Sequence, residues 1–403
     1  MDKPLLLISG HQVHQALWQP LQESFDLMFA YPNVKQYAES IGVTKTLALS
    51  EALNVQAQER SLNQTALMTN AAVAQLPVIR QAVANNFNGT RPPALAQINE
   101  WWPGYLMQQT GMVSNVITAL DEVGKVRPLI GCVVHEDVTL YTRALVNWCN
   151  AHGVKTIHIP HAMCHLRDDA GPDIHRETRA AYIGASGEAM RDYYARNGHP
   201  LGNIELIGAP QWDNYYQPGH LPERDEARRV LDVDGLVVTY AATWGQTTAL
   251  RGGYDSEINA GINAVLDYAQ RKSATLIIKV HPNAGTSENY YADRLQQAHV
   301  KGLVTRQHLA YVLRASDVLI SQGPSNVCIE SVMAGTPACY IQSEGFDFAH
   351  PQLPRGSVRD MDNMVEVARS PQDWSEFITF YNCVHPDGGS VERAVDWLRA
   401  LCL

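Results

Sequence analysis

Short apolar runs alternate with longer amphipathic segments along most of the chain. The runs that predict buried strands cover residues 5–9, 129–134, 156–159, 180–184, 204–207, 236–240, 275–280, 303–305, 318–321 and 338–341. Between them, apolar residues recur at helical spacing in segments such as 140–151, 257–271 and 325–334. Strands that alternate with helices in this way indicate an α/β fold with doubly wound parallel sheets.

One long stretch breaks this alternation after the first strand. Residues 43–88 contain no glycine and a single proline, Pro77, and they are rich in Ala, Gln, Leu and Asn. This composition predicts a helical insertion that continues to about residue 120. The insertion either covers the sheet, or it shapes an acceptor site or an oligomer contact.

A loop-like segment near the middle of the chain marks the predicted domain boundary. Residues 208–226 read "GAPQWDNYYQPGHLPERDE", with three prolines and two glycines, and a new strand–helix series follows them. We therefore expect an N-terminal domain over residues 1–215, which contains the insertion at about 43–120, and a C-terminal domain over residues 216–385.

Composition places the chain among ordinary globular proteins. Apolar residues make up 45 % and charged residues 18 % of the 403 residues. Acidic residues outnumber basic ones by 41 to 31, and the net charge of −10 disfavours nucleic-acid binding driven by bulk charge. The uncharged stretch at 101–120 is too polar for a membrane span, and the apolar run at 5–8 is too short for a signal peptide.

The spacing of cysteines and histidines predicts no metal site. The seven cysteines are far apart and form no Cys-x-x-Cys pair, so we expect reduced thiols in a cytoplasmic protein. His158, His161 and His165 lie close to Cys164 in the sequence, but Pro160 breaks the segment and the spacing fits a helix poorly. We expect no metal and no bound cofactor, and we expect His161 to face the ligand-binding cleft.

A histidine follows the buried strand predicted at residues 275–280. The segment "TLIIKVHPN" places His281 just past the carboxyl end of this strand, and Pro282 ends the strand. Open α/β sheets bind ligands at this edge, where an imidazole can donate a hydrogen bond to a phosphate oxygen and stabilise a departing nucleotide. The alternative is a histidine that only satisfies a loop carbonyl.

A phosphate-facing turn is predicted between the strand at 318–321 and the helix after it. Pro324 and Ser325 are favourable at a helix start, and the free backbone N–H groups there attract a phosphate. Ser325 and Asn326 add side-chain donors, and Glu330, about one turn further along, could accept hydrogen bonds from ribose hydroxyls. An ordinary capped strand–helix unit would show the same pattern.

The first strand of the C-terminal half ends in "YAATWGQT". A turn of small residues with the Thr243 hydroxyl lets the backbone approach a phosphate, and Trp244 either walls the cleft or belongs to the core. The chain contains no Walker loop, no Gly-x-Gly-x-x-Gly run and no Gly-x-Ser-x-Gly run. These absences disfavour an ATPase, an NAD-dependent enzyme and a serine hydrolase.

These motifs, in this order, resemble a group of surface-carbohydrate enzymes. "YAATW" resembles the "YAPTW" run of CDP-glycerol glycerophosphotransferase-like proteins, and "IIKVHP" resembles the His-Pro motif that these share with bacterial polysialyl- and Kdo-transferases. "DVLISQGPSNVCIE" resembles their serine motif, and "HPDGGSVERAVDWL" resembles their terminal helix. "VVHEDVTLYTRALVNWCNAHGVKTIHIPHA" is similar to a segment of related transferases that ends in "QHG". The resemblance covers roughly residues 129–400.

The resemblance implies a GT-B fold, in which two Rossmann-like doubly wound domains face a central cleft and the second domain binds most of the donor nucleotide. It implies that the donor is bound by Thr243, Trp244, His281, Ser325, Asn326 and Glu330. It also implies that a final helix, within residues 386–403, crosses back onto the first domain.

The chain departs from the patterns of this group at several positions. Pro160 replaces the usual glutamine before His161, and Ala162 replaces the glycine after it. Ala242 replaces the proline of "YAPTW", and Gln-Gly-Pro-Ser at 322–325 replaces an Asp-Tyr-Ser-Ser pattern. These departures concern the identity of the donor more than the fold.

Three residues of the N-terminal half are candidates for the base that activates the acceptor. Related transferases use an acidic residue just after the strand at 129–134, which implies Asp137 first and Glu136 second. Asp137 would otherwise cap the helix that follows. His11, in the loop after the first strand, is the third candidate, because sugar-nucleotide GT-B enzymes often have a histidine there.

The combined expectation is a glycosyltransferase that moves a sugar from a nucleotide-activated donor to an acceptor hydroxyl, with inversion and without a metal. The alternatives are transfer of an alcohol phosphate from a donor such as CDP-glycerol, 2-epimerisation of a sugar nucleotide, and a catalytically silent sugar-nucleotide-binding protein. The expected partners are the nucleotide sugar and a hydroxyl-bearing acceptor, such as a glycan or lipid-linked glycan. A homo-oligomer is compatible with the sequence.

Overall fold

The computed structural model of the chain describes residues 3–10, 14–78, 81, 94–137, 139–161, 178–242, 254–281, 288–342 and 348–403, with backbone alone at 94–103 and 254–258. Contacts among these residues define two compact units. The described residues up to 161, with 178–184 and 395–403, form the first unit, and residues 185–394 form the second.

The first unit is built on a parallel sheet. The strands of this sheet that lie in the first unit run in the order β3-β2-β1-β4-β5-β6, and each neighbouring pair is parallel. The strands are β1 Leu5–Ile8, β2 Asp26–Phe29, β3 Thr46–Ala48, β4 Leu129–Val134, β5 Lys155–His158 and β6 Tyr182–Ala185. The helices are α1 Gln15–Leu21, α2 Pro32–Ser40, α3 Val55–Ala74, α4 Ala94–Val126 and α5 Leu140–Ala151.

The second unit contains a parallel sheet with the strand order β10-β9-β8-β11-β12-β13. The strands of the unit are β7 Ile204–Leu206, β8 Val237–Ala241, β9 Thr275–Lys279, β10 Gly302–Thr305, β11 Val318–Gln322, β12 Ala338–Ile341 and β13 Arg355–Gly356. The helices from residue 185 onward are α6 Glu188–Arg196, α7 Arg224–Leu231, α8 Tyr254–Lys272, α9 Glu288–Gln297, α10 Leu309–Ala315, α11 Asn326–Met333, α12 Met361–Arg369, α13 Ser375–Tyr381 and α14 Ser390–Cys402.

Helices cover the sheets, and this burial explains why the central strands are apolar on both faces. Every residue of β1 and of β8 is buried. In the first unit, β1 and β4 share a hydrophobic core with α4 and α5. In the second unit, β8, β9 and β11 share one with α8 and α12. A parallel sheet covered on both faces requires apolar side chains at successive positions, and the short apolar runs of the sequence have this property.

The predicted α/β class is confirmed, and each strand predicted from an apolar run is present with small shifts at its ends. Three strands were not predicted. β2 is only four residues long, β3 lies inside the range assigned to the helical insertion, and β13 has two residues. Such short strands at or near a sheet edge contain too few apolar positions for a periodic signal.

The contact-based division of the chain falls earlier than the boundary expected near residue 215. Residues 185–215 belong to the second unit, because α6 packs against α13. The approach is close at Gly187, where an added Cβ would lie 2.5 Å from the carbonyl oxygen of Phe380. This contact is made by residues far apart in sequence, and a local loop signal does not reveal it.

The helices α3 and α4 occupy most of the range of the predicted insertion and pack against each other through small polar residues. The Ser61 hydroxyl donates to the Ser114 hydroxyl at 3.1 Å, and the hydroxyls of Thr69 and Thr110 are 2.7 Å apart. No helix among the described residues is both long and apolar enough to cross a membrane.

The final helix, α14, has contacts in both units along its length. The backbone N–H groups of Ser390 and Val391 donate to the Asp213 carboxylate at 3.0 and 2.8 Å in the second unit. In the first unit, the Arg399 guanidinium donates to the Ser24 hydroxyl at 2.8 Å and to the Glu23 carboxylate at 3.0 Å. Residues 395–403 are accordingly part of the first unit.

Candidate functional site

The carboxyl edge of the second sheet brings together several of the residues predicted to bind a donor. Strand order reverses between β8 and β11, and open α/β sheets bind ligands in the crevice at such a point. β9 and β11 are the two neighbours of β8. With strands spaced by about 4.8 Å, their ends lie about 10 Å apart. A ligand at the end of β8 could therefore contact residues that follow both neighbours.

The turn after β11 presents the start of α11 to this edge. Gly323 has a φ of 73°, which favours glycine, and its N–H donates to the Ile341 carbonyl of β12 at 2.8 Å. Ser325 is the N-cap residue in an extended conformation, it is exposed, and its hydroxyl accepts no N–H of the helix. Asn326 begins the helix. The first N–H groups of α11 and the Ser325 hydroxyl can therefore bind an anion.

A group of basic side chains lies at the ends of β9 and β10. His281 is half-buried. Its pKa is lowered mainly by this burial and, to a smaller extent, by the nearby charge of Lys279. Lys279 is half-buried too. Its pKa is lowered mainly by burial and, to a smaller extent, by the nearby charge of Arg306. Arg306 donates to the Glu288 carboxylate at 2.6 Å and to the His281 carbonyl at 3.4 Å. The arrangement favours an anionic ligand, which would offset the mutual repulsion of the cations.

Glu330 lies one turn into α11 and is held by aromatic hydrogen-bond donors. The Tyr215 hydroxyl donates to Glu330 Oε1 at 3.4 Å, and the Trp212 side chain also bonds the carboxylate. Burial raises the pKa of Glu330 to about 7, because these bonds only partly offset the desolvation of the charge. Burial and Glu330 together raise the pKa of Tyr215. A ribose hydroxyl bound as predicted would donate to a carboxylate that already accepts hydrogen bonds from Tyr215 and Trp212.

The carboxyl edge of the first sheet has its own polar cluster where β1 and β4 end. Ser9 Oγ and His135 Nδ1 are 3.2 Å apart, and both residues are buried. The backbone N–H of His161 donates to the His135 carbonyl at 3.3 Å, and its ring packs edge-on against that of His135. His161 is thereby held beside the β4 loop. The first sheet also reverses its strand order between β1 and β4, so this is a second candidate ligand edge.

Asp137 is fully buried and bonds to the backbone that leads into β6. Its Oδ2 atom accepts hydrogen bonds from the N–H groups of Arg179 and Ala180, the latter at 3.1 Å, and from the Thr178 hydroxyl at 3.1 Å. Burial raises the pKa of its carboxyl, and these bonds offset part of the shift. The alternative role of Asp137 as a helix cap is wrong, because Thr139 is the N-cap of α5 and its hydroxyl accepts the Thr142 N–H.

Glu136 is only partly buried, and its charge acts on the nearby Tyr31, which belongs to an aromatic pair. The rings of Tyr31 and Tyr141 stack with centroids 4.5 Å apart, and the Tyr141 hydroxyl donates to the Ala30 carbonyl at 2.7 Å. The pKa of Tyr31 is raised to about 12, mainly by burial and to a smaller extent by the charge of Glu136. Glu136 thus offers a partly exposed carboxylate just after a central strand.

Not every residue predicted from the sequence can be placed. His11, Thr243 and Trp244 lie outside the described residues, as do Cys164 and His165 of the histidine-rich segment. His158 is described, and its Nδ1 atom lies 3.2 Å from the Thr178 hydroxyl. Within the described ranges, no three His, Cys, Asp or Glu side chains are arranged to hold a metal ion.

Sequence reasoning missed several residues at the two edges. Lys279 carried a visible signal, because it is a charged residue at the end of an otherwise apolar strand. Tyr31 follows β2, which was not predicted, and Arg306 follows the edge strand β10. Gln322 is buried at the end of β11 and lies against Gly261 of α8, a contact between distant residues that no local motif reveals.

The chain matches one family model over part of its length. The model describes CDP-glycerol:poly(glycerophosphate) glycerophosphotransferases and matches residues 154–329, which is less than half of the chain. No curated protein sequence is significantly similar to the chain. The match runs from just before β5 to α11 and includes the His-Pro segment and most of the serine motif.

Solved structures resemble the chain over nearly its whole length at low sequence identity. The UDP-GlcNAc 2-epimerase from Neisseria meningitidis bound to UDP-GlcNAc has a TM-score of 0.58 at 12 % identity, covering 99 % of this chain and 100 % of that one. The UDP-GlcNAc 2-epimerase from Methanocaldococcus jannaschii has a TM-score of 0.57 with the same identity and coverage. Anabaena HepE in complex with UDP and glucose has a TM-score of 0.52 at 12 % identity, covering 99 % and 98 %.

These likenesses establish the fold class. The chain has a GT-B fold with two Rossmann-like domains, as the motifs implied. The resemblance to CDP-glycerol glycerophosphotransferases is confirmed over residues 154–329. At 12 % identity the structural likeness carries the fold and leaves the reaction to be argued from the site.

Proposed function

We propose that the protein is a glycosyltransferase that moves a sugar from a nucleotide-activated donor to an acceptor hydroxyl, with inversion and without a metal. The observation that carries the proposal is the edge of the second sheet. There the exposed Ser325 at the start of α11 and the half-buried His281 flank the end of β8. This arrangement suits the phosphates of a nucleotide, since both sides supply hydrogen-bond donors.

In the proposed reaction the acceptor oxygen forms a bond to the anomeric carbon of the sugar. The bond from that carbon to the phosphate oxygen breaks, and its electron pair leaves with the nucleotide. The acceptor proton passes to a carboxylate in the first unit. His281 and the N–H groups at the start of α11 stabilise the charge that develops on the departing phosphate. These donors would take the place of a divalent cation.

The identity of the base depends on access to the acceptor. Asp137 is the first choice implied by the resemblance, but it is fully buried and its Oδ2 atom accepts three hydrogen bonds from residues 178–180. Glu136 is partly exposed and is near enough to Tyr31 for its charge to raise the pKa of that hydroxyl. A base must reach the proton that it removes, so exposure favours Glu136 and leaves Asp137 a positioning role. His11 stays a candidate on sequence grounds alone.

Two other reactions have specific support. The family match favours transfer of glycerol phosphate or a similar alcohol phosphate from a CDP-activated donor. The likeness to UDP-GlcNAc 2-epimerases over the whole chain favours isomerisation of a sugar nucleotide. Both reactions would use a donor that contains a nucleoside diphosphate, which the same sheet edge could bind, so the site alone does not separate them.

Product analysis separates these activities. The purified protein is incubated with UDP-, GDP-, dTDP- and CDP-sugars, CMP-sugars and CDP-glycerol, with and without glycan and polyol acceptors, and the products are resolved by mass spectrometry. We expect glycosylated acceptor and free nucleotide. Each of three other outcomes would replace the proposal with the corresponding alternative. These outcomes are transfer of alcohol phosphate, isomerisation of the donor in the absence of an acceptor, and binding without turnover.

The same assay distinguishes Glu136 from Asp137. Glu136→Gln should lower transfer by about 10²–10⁴-fold with an unchanged melting temperature, as for loss of a general base. Asp137→Asn should instead destabilise the first unit by about 1–3 kcal/mol, because buried backbone donors lose a charged acceptor. If Asp137→Asn melts like the wild type but is inactive, and Glu136→Gln remains active, Asp137 is the base.

A further inference from the structure

The helix α3 exposes an apolar stripe on the side that does not contact α4. Val55 and Leu62 have 73 % and 70 % of their surface exposed, Val73 has 39 %, and Ala66 is exposed as well. Val55 and Val73 are 18 residues apart, which is about five turns of an α-helix. Leu62 and Ala66 lie within about 20° of the line between them. The four residues therefore form one row, here called the α3 stripe, about 27 Å long.

The opposite side of α3 is already occupied. Ala57 and Ser61 are buried, and Ser61 bonds to the Ser114 and Asn115 side chains of α4. The Thr65 and Thr69 side chains also contact α4. The α3 stripe thus lies on a helix whose position is fixed by α4, so its exposure does not reflect an unpacked helix.

The spacing of the α3 stripe is symmetric about residue 64. Val55 and Val73 are each nine positions from this centre, and Leu62 and Ala66 are each two positions from it. An antiparallel copy of the same helix, related by a two-fold axis near residue 64, would therefore place Val55 against Val73 of the second copy and Leu62 against Ala66. This self-complementarity is the property that an isologous interface requires.

The polar residues beside the α3 stripe follow the same symmetry. Gln58 and Asn70 are each six positions from residue 64, so two side-chain amides would lie on opposite sides of the axis. Glu59 would lie near Thr69 of the second copy rather than near another carboxylate. The other charged residue of α3, Arg60, is paired with Glu122 of α4. An apolar row with a polar rim of two amides and one carboxylate, Glu59, is compatible with the composition of a protein interface.

We propose that the α3 stripe is a homodimer contact, in which α3 of one copy packs antiparallel against α3 of a second copy of this chain. Two helices in contact over about 27 Å bury less than the roughly 1,200–2,000 Å² of a stable interface. The dimer is therefore weak and concentration-dependent, with a dissociation constant in the micromolar range. This inference does not depend on the reaction proposed above.

Sedimentation equilibrium over a concentration range of about 1–200 µM tests the proposal on the full chain. The wild type should approach twice the 44.6 kDa mass of one chain at the high end. Leu62→Glu places two carboxylates in the contact, and it should weaken dimerisation at least about tenfold. Leu67→Glu is the matched control, because Leu67 is 71 % exposed but turned by about 100° from Ala66, and it should leave the dimer unchanged.

Thermal unfolding of the same variants shows whether something other than a second copy covers the α3 stripe. A wild type that stays monomeric at all concentrations overturns the proposal. If it is monomeric and Leu62→Glu lowers the melting temperature, part of the same chain covers the stripe. If it is monomeric and the melting temperature is unchanged, the stripe is left for a different partner.

The orientation of the helices has a separate test. A chain carrying Leu62→Glu is mixed with a differently tagged chain carrying Ala66→Lys. In the antiparallel arrangement each introduced carboxylate faces an introduced ammonium, so heterodimers should be recovered more efficiently than either variant self-associates. Recovery no better than that of Leu62→Glu mixed with Leu67→Lys would overturn the antiparallel contact.

Discussion

Burial is the main cause of the altered acid–base properties at the two sheet edges. It raises the pKa of Glu330 to about 7, raises the pKa of Asp137 and lowers the pKa of His281. In each case the neutral form is favoured, since a partly desolvated charge is costly. A bound phosphate would reverse the effect at His281, whereas a bound ribose hydroxyl would add one more donor to Glu330. Ligand binding should therefore change the protonation of both residues.

The Glu330 carboxyl should make stability depend on pH. A carboxyl with a raised folded-state pKa keeps its proton in the folded protein, so its contribution to stability is full below about pH 4.5 and is lost as the pH rises through about 7. The difference from the ordinary value of 4.5 corresponds to up to about 3 kcal/mol. We expect Glu330→Gln to gain stability relative to the wild type as the pH increases from 5 to 8, as measured by chemical unfolding.

Glu366→Gln provides the matched control for this experiment. Glu366 is an exposed residue of α12 in the same unit, so its replacement should change the unfolding free energy by less than about 0.5 kcal/mol. A difference between Glu330→Gln and the wild type that does not vary with pH would show that Glu330 is ionised in the folded protein throughout this range.

Sequence motifs locate residues that act from a strand end, and they fail for residues whose partners are distant. His281 and Ser325 were predicted because a strand end and a helix start are local features. The three donors to Asp137 come from residues 178–180, about 40 positions further along the chain. The alternative cap role of Asp137 is wrong because Thr139, two residues further along, is the cap.

At the scale of elements, sequence periodicity succeeded where one face or both faces of an element are strongly buried. The helix α5 was predicted at 140–151 and has these bounds, because its apolar positions recur against the first core. β3 and β13 are edge strands of three and two residues. An edge strand needs fewer apolar side chains, so its pattern is too short to be separated from a loop.

The start of α14 depends on a carboxylate from a distant turn. Asp213 accepts the N–H groups of Ser390 and Val391, which otherwise have no partner within the helix. Asp213→Ala should lower the free energy of unfolding of the second unit by about 1–2 kcal/mol, through loss of the cap and of its interaction with the helix dipole. Urea unfolding followed by tryptophan fluorescence measures this loss.

Asp396→Ala is the control for this element. Asp396 lies on the same helix, is exposed and has only a 3.4 Å contact with Arg399. Its replacement should change stability by less than about 0.5 kcal/mol. Equal effects of the two substitutions would mean that the loss of negative charge, and not the cap, determines the stability of α14.

At the scale of the whole molecule, the two units repeat one arrangement. Each contains a parallel sheet whose strand order reverses between two central strands, and each has polar residues after the central strands. The first edge holds Ser9, His135 and Glu136, whereas the second holds His281 and Ser325. The sequence revealed this repetition through its apolar runs, but the partition of contacts depends on packing between distant helices, as at Gly187.

Nucleotide binding by the whole protein should depend on the second edge and not on the first. In thermal unfolding with UDP, CDP, GDP, dTDP and CMP, we expect at least one nucleotide to raise the melting temperature, since a ligand at about 100 times its dissociation constant stabilises the native state by about 2.7 kcal/mol. His281→Ala should remove most of this increase, and it should lower turnover by about 10²–10³-fold, as for loss of one charge-stabilising donor. Glu136→Gln should keep the increase, because the base acts on the acceptor.

The control for His281→Ala is a histidine at the opposite edge of the same sheet. His299 is exposed just before β10 and has a φ of 52°, which asparagine tolerates, so His299→Asn should bind nucleotide like the wild type. If Glu136→Gln removes the thermal increase while His281→Ala keeps it, the nucleotide binds to the first unit and the proposed roles of the two edges must be exchanged. If no nucleotide raises the melting temperature of the wild type, the phosphate-binding role of the edge at His281 and Ser325 is wrong.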